Sequence, residues 1–214
     1  MAEPFRSTAR QVHWDVAYRD RGITGVSWFQ PTASTSLALF DRLAVPPSAA
    51  VVDIGGGASV LVDDLLARGF SNLTVVDVSA VALEAVGQRL GQSSPVTLVH
   101  TDLLSWKPEG RYDVWHDRAV FHFLVDERDR DAYLKVLRSC LRPGGIVILA
   151  TFALDGPEYC SGLPVSRYSA SELTKLLGPE VDAMEEMREE HLTPSGAMQP
   201  FTWLAARIRR TSSA

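Results

Sequence analysis

Three glycines set behind a β-branched strand constrain this chain more than any other feature. Residues Val51-Val52-Asp53-Ile54-Gly55-Gly56-Gly57-Ala58-Ser59 run from a strand through an acid into a turn, and a helical pattern follows. Glycine reaches positive φ at such a turn without steric cost and lets a ligand approach the main chain. A second apolar run, Leu73-Thr74-Val75-Val76-Asp77-Val78-Ser79, also contains an acid at its end. An acid about 20 residues beyond a glycine turn is placed to accept both hydroxyls of a ribose. Together the two segments imply an α/β fold and an adenosine-containing cofactor.

The glycines do not complete a dinucleotide fingerprint. G-x-G-x-x-G sets helix-terminal amides against a pyrophosphate, but Ala58, Ser59 and Val60 follow Gly57 here. Asp53 lies two residues before the first glycine, where a carboxylate would crowd a pyrophosphate and suit an ammonium or sulfonium. With Gly55, Gly57 and Asp77, Asp53 resembles the first two motifs of the class I S-adenosylmethionine (SAM)-dependent methyltransferases. A glycine turn that binds NAD, or that binds nothing, stays open as the alternative.

The remaining pattern alternates strands with helices, which calls for a mostly parallel sheet covered on both faces. Leu61, Val62, Leu65 and Leu66 form one helical stripe ended by Gly69. Ser79 caps a second helix, whose Leu83, Val86 and Leu90 precede Gly91. Strands are expected at 96–100 and 112–116, a helix at 127–141, and a turn Arg142-Pro143-Gly144-Gly145 before the strand 146–152. The leucine-arginine-proline-glycine-glycine turn is similar to the family's pattern ahead of its fifth strand. Ser169-Ala170-Ser171-Glu172 reads as a capping box for a helix through Leu177. Residues 184–190 and 201–208 supply two last strands, which the resemblance makes an antiparallel hairpin. The expected architecture is therefore a single doubly wound, seven-stranded, mostly parallel α/β sheet. An N-terminal arm or lid over 1–36 precedes a core over 37–214, with a substrate loop at about 153–168.

Charge and cysteine content narrow the function. A net charge of −5 over 214 residues leaves no electrostatic footprint for nucleic acid, and Arg207-Ile208-Arg209-Arg210 reads as a solvated strand end. Two cysteines, Cys140 and Cys160, build no disulfide framework and fit a reducing cytoplasm. No apolar run reaches the length of a membrane span, no signal-peptide core opens the chain, and no ligand spacing suggests a metal.

The resemblance implies a set of cofactor contacts: Asp77 on the ribose, Gly55 and Gly57 along the methionine portion, and Asp102 and Leu103 at the adenine. Ser59, Val78 and Asp117 join them, as do Trp14, Tyr18 and Trp28 of the arm. The product would be S-adenosylhomocysteine (SAH). A tryptophan face suits a cation, although aromatics ahead of a core also serve simply to cover a sheet. A local turn cap is the alternative role for Asp102.

Acceptor chemistry is read at the end of the fourth strand. His116, Asp117 and His122 are candidate proton-transfer groups, with His116 and Asp117 as an orienting pair. An Asn/Asp-Pro-Pro-aromatic turn is absent there, which disfavours a nucleobase amino group. Trp28, Phe29, Arg118, Cys160, Arg167 and Tyr168 are candidate substrate contacts, on segments above the sheet where binding residues commonly sit. A small-molecule acceptor is expected first and a protein side chain such as lysine second. Two other classes remain: an NAD-linked oxidoreductase, for which no Tyr-x-x-x-Lys pair exists, and a non-catalytic SAM-binding module.

Overall fold

The computed structural model of the protein describes residues 3–209. In chain order its helices are α1 (Glu3–Arg21), α2 (Ser34–Arg42), α3 (Leu61–Ala67), α4 (Ala80–Leu90), α5 (Glu127–Cys140) and α6 (Ala170–Leu177). Strands β1 (Val51–Ile54), β2 (Leu73–Asp77), β3 (Thr97–His100), β4 (Tyr112–Arg118) and β5 (Leu141–Phe152) alternate with them. A small hairpin, β6 (Tyr159–Cys160) with β7 (Leu163–Pro164), precedes β8 (Val181–Leu192) and β9 (Met198–Ile208).

Seven strands form one sheet in the order β3-β2-β1-β4-β5-β9-β8. Every pairing is parallel except the two that β9 makes, with β5 and with β8. The reversal of β9 lets a tight turn return the chain, where a parallel strand would need a crossover. The strand order reverses between β1 and β4, and such a switch point is where open α/β sheets bind their ligands.

Strand alternation divides the core into two layers. Val51, Val114, Ile146 and Ile148 face Leu39, Phe40, Leu61, Leu65 and Val86 on a first face covered by α2, α3 and α4. Val52, Trp115, Val147 and Leu149 face Tyr133, Leu137, Leu173 and Leu177 on a second face covered by α5 and α6. With apolar side chains needed on both faces, β1, β2 and β4 read as near-continuous hydrophobic runs.

Residues 3–36 hold α1 and the start of α2, so the boundary expected at 36/37 falls inside a helix. Both are held by partners distant in sequence, so no local pattern announces them. Residues 142–145 do not stand outside the fifth strand, because β5 already pairs at Leu141 with Tyr112 before bulging and re-pairing at Ile146 with Val114. The eighth strand starts at Val181, with its own register shift between Ala183 and Glu185. At the C-terminal end Arg209 pairs with Asp182 at 2.7 Å, and Arg210 lies outside the described residues. Among the described residues no helix is long and apolar enough to cross a membrane.

The capping box of α6 is complete. Ser169 Oγ accepts from Glu172 N at 3.3 Å, and Glu172 Oε2 accepts from Ser169 N at 2.8 Å. Ser169→Ala should cost about 1 kcal/mol, the usual loss for removing such a cap. A urea midpoint unchanged from the wild type would contradict it.

Candidate active site

The functional residues collect where β1, β2 and β4 end. Gly55 and Gly57 turn the chain with φ of 59° and 48°. A side chain at Gly57 would collide with the Tyr18 hydroxyl and come within 3.2 Å of Asp77 Oδ2. The glycine is thus required by what lies against it as well as by its own φ. Beside the turn is a cleft of about 180 Å³, bounded by Gly55, Asp77, Val78, Asp102 and Leu103 on the β1–β2–β3 side. Trp14, Tyr18 and Trp28 bound it from the N-terminal segment, and Phe123, Phe152, Cys160 and Phe201 from the β4–β5–β9 side. A smaller cavity of about 50 Å³ is bordered by Asp53, Gly56, Ser59, Phe29 and His116. Tyr18, Trp28, Gly55 and Arg118 border both spaces.

Three carboxylates stand at or just beyond the ends of adjacent strands, with different partners. Asp77 Oδ1 accepts from Ser79 N at 2.7 Å. Burial pushes its pKa up to about 6, against the opposing pull of the Ser79, Gly57 and Val78 amides. Asp102 Oδ1 accepts from Leu104 N at 3.0 Å and Oδ2 from Arg10 Nη1 at 2.8 Å, so it caps the turn at Leu103–Ser105 and fastens α1. Asp53 Oδ1 meets His116 Nδ1 at 2.7 Å, and His116 Nε2 meets Ser36 Oγ at 2.9 Å. All three members of this buried chain lie on the first face of the sheet.

The pairing expected between His116 and Asp117 does not occur. Neighbours along a strand point to opposite faces. His116 therefore joins Asp53 and Ser36, while Asp117 turns to α5 and accepts from Tyr133 Oη at 2.6 Å and Val120 N at 2.9 Å. Burial raises Asp117 to about 6, and its local donors lower it. His122 is fully buried among Phe123 and Phe152, and burial followed by the Arg118 charge drops its pKa to about 3. An imidazole that weakly basic takes no proton at neutral pH. None of the three candidate proton-transfer groups borders the larger cleft.

The acceptor candidates divide similarly. Trp28, Arg118 and Cys160 border the cleft, and Phe29 borders the smaller cavity. Arg167 donates to Gly156 O and Glu158 Oε1, bracing its own loop, and Tyr168 packs on Phe121. Burial lifts the Cys160 thiol to about 11, which makes it an unreactive wall residue. Sequence reasoning missed Arg10, Ser36, Tyr133 and Phe201. Only Tyr133 carried a signal, as a polar tip in the apolar stripe of α5.

A glycine turn and strand-end acids at the switch point of a seven-stranded sheet are the layout of class I SAM-dependent methyltransferases, and the similarities of this chain to known proteins support that class. The sequence profile described as a methyltransferase domain matches residues 52–147, from β1 into β5. The chain is 28% identical over 155 residues to EEF1A lysine methyltransferase 2 of Danio rerio, covering 65% of this chain and 66% of that protein. It is 29% identical over 162 residues to thiocyanate methyltransferase 1 of Brassica oleracea, covering 71% and 68%. The structure superposes with a TM-score of 0.74 on 1,6-didemethyltoxoflavin-N1-methyltransferase of Burkholderia thailandensis, which carries bound SAH. That likeness, at 21% identity over 98% of this chain and 92% of the other, concerns the fold. The chain matches about two thirds of the length of the curated lysine methyltransferases.

Asp77 gives the site a pH signature. Its folded pKa is raised, so between the ordinary carboxylate range and about 6 the folded protein holds more protons than the unfolded chain. Stability then declines as pH rises through that window and levels off above it. Asp77→Asn should remove this residue's share of the decline, so that the variant loses less stability than the wild type between pH 4 and pH 7. Denaturant titrations at both pH values measure it, and an equal loss in the two proteins contradicts the assignment.

Proposed function

We propose that this protein moves the sulfonium methyl group of SAM, by in-line displacement, to a small-molecule acceptor. The observation that carries this reading is the cover over the acceptor half of the cleft. Trp14 packs edge-on against Trp28 and Phe123, with ring centroids 5.5 and 4.9 Å apart, roofing a space floored by Phe152 and Phe201. A roofed apolar chamber suits a small molecule better than a side chain presented by a folded protein. Methyl transfer to a protein lysine is the second reading, favoured by the 28% identity to the lysine methyltransferase.

SAM supplies a methyl carbon made electrophilic by its bond to a positive sulfur. Asp77 is suited to accept from the ribose hydroxyls, and Val78 and Leu103 to flank the adenine. Gly55 and Gly57 give the main chain close approach, and Asp53, oriented by His116, offers a negative charge to the amino-acid end. Asp102 acts on this reading through Leu103 and Leu104, whose turn it caps, and through the helix that Arg10 fastens to it. The N-terminal segment serves as a lid and residues 153–168 as the substrate loop. With His116, Asp117 and His122 engaged elsewhere, the acceptor must arrive with its electron pair free. Alignment then contributes most of the rate. The two free, buried thiols support a reducing, cytoplasmic setting.

Calorimetric titration with SAM and SAH tests the donor, and radiolabelled SAM given to small-molecule and protein fractions tests the acceptor. Asp77→Ala should weaken SAM binding by about 100-fold, since two hydrogen bonds to a charged group are lost. Wild-type affinity should also fall as pH drops below about 6, where Asp77 takes up a proton. Unchanged affinity in the variant, or a pH-independent wild type, would reject the ribose assignment.

A further inference from the structure

We infer that the acceptor carries an anionic group, and that the side edge of the Arg118 guanidinium receives it. This rests on the methyltransferase reading above and adds the chemical class of the acceptor.

Arg118 is the last residue of β4, and its side chain points to the first face of the sheet, with Asp53 and His116. Its guanidinium lies over the Phe201 ring, 4.7 Å from the centroid, and Nη1 donates to Trp28 O at 3.1 Å. Nε and Nη2 are buried, and neither has a hydrogen-bond partner among the described residues. Glu189 Oε2 is 3.8 Å from Nε, close enough to offset charge and too far for a hydrogen bond. That carboxylate is already engaged, accepting from Trp203 Nε1 at 2.8 Å and Gln30 Nε2 at 2.6 Å.

The two idle nitrogens share one edge of the guanidinium. Their N–H bonds run parallel, which is the fork that meets the two oxygens of a carboxylate. Burying such donors without partners is costly, and a folded protein rarely tolerates it unless a ligand completes the set. The Arg118 side chain is only 10% exposed, and the residue borders both the cleft, where Phe201 lies under its guanidinium, and the smaller cavity. Aromatic walls with one side-on cationic fork describe a receptor for a planar acid, such as an aryl carboxylate. The guanidinium lies toward β9 and β8, across β1 from Asp77 and Asp102. This position favours the acceptor over the nucleotide end of the donor.

The test begins with SAH titrated into the wild type. SAH-saturated protein is then titrated with benzoate and indole-3-acetate, each beside its neutral amide. At least one acid should bind about tenfold tighter than its amide, and Arg118→Met should weaken that acid by about tenfold or more. The SAH affinity of the variant should stay at the wild-type value. Equal binding of acids and amides would overturn the inference while leaving the methyltransferase reading intact. A variant that loses SAH affinity but keeps the acids would give Arg118 to the carboxylate of the donor and overturn it as well. A drop of several degrees in melting temperature with acid binding retained would make the residue structural. Failure of the wild type to bind SAH would reject both readings.

Discussion

The 2.7 Å contact between Asp53 and His116 joins β1 to β4 across the point where the strand order reverses. Everything at the ligand end is arranged around that reversal. The imidazole holds the carboxylate beside the glycine turn and reaches Ser36 with its other nitrogen, so α2 is fixed by the same residue. A carboxylate buried there alone would carry the full cost of desolvation. With its partner it presents negative charge at the rim of an otherwise apolar layer.

The N-terminal helix depends on the same economy of shared acids. Arg10 bridges Asp102 and Asp129, and Asp15 accepts from Ser79 Oγ at 2.7 Å and Val81 N at 3.2 Å. These contacts tie α1 to the end of β3, the start of α4 and α5, beside the part of the cleft that Asp77 and Asp102 border. The aromatic half is covered by Trp14 from the same helix and Trp28 from the following loop. His191 secures that loop through Ser27 O at 2.7 Å. One helix thus connects the two ends of the cleft.

How much of this was legible follows from the range of the interactions. The turn at Gly55–Gly57, the acid at Asp77 and the caps at Ser79 and Ser169 depend on neighbours within a few residues, and the sequence displays them. The helices α1 and α2 depend on Asp102, Ser79 and His116, which no local pattern couples to Arg10, Asp15 or Ser36. The His116–Asp117 pair was misread because β4 is buried on both faces. A strand with one wet face would have shown by its polarity which residues point together, and this one does not. Arg118 was legible as a candidate from its position, but the idleness of its two nitrogens emerges only once Phe201, Glu189 and Trp28 converge on it.

The outermost strand has a consequence for how molecules of this protein meet one another. β8 ends the sheet with an open row of main-chain donors and acceptors, which is a template for pairing with a second chain. Its register breaks between Ala183 and Glu185, and Glu186, Arg188 and Glu190 alternate along its exposed positions. An identical strand laid alongside would meet charged side chains at alternate positions and a kinked rather than a flat edge. The last strand therefore works as a fender, keeping an otherwise adhesive margin from growing into a continuous sheet.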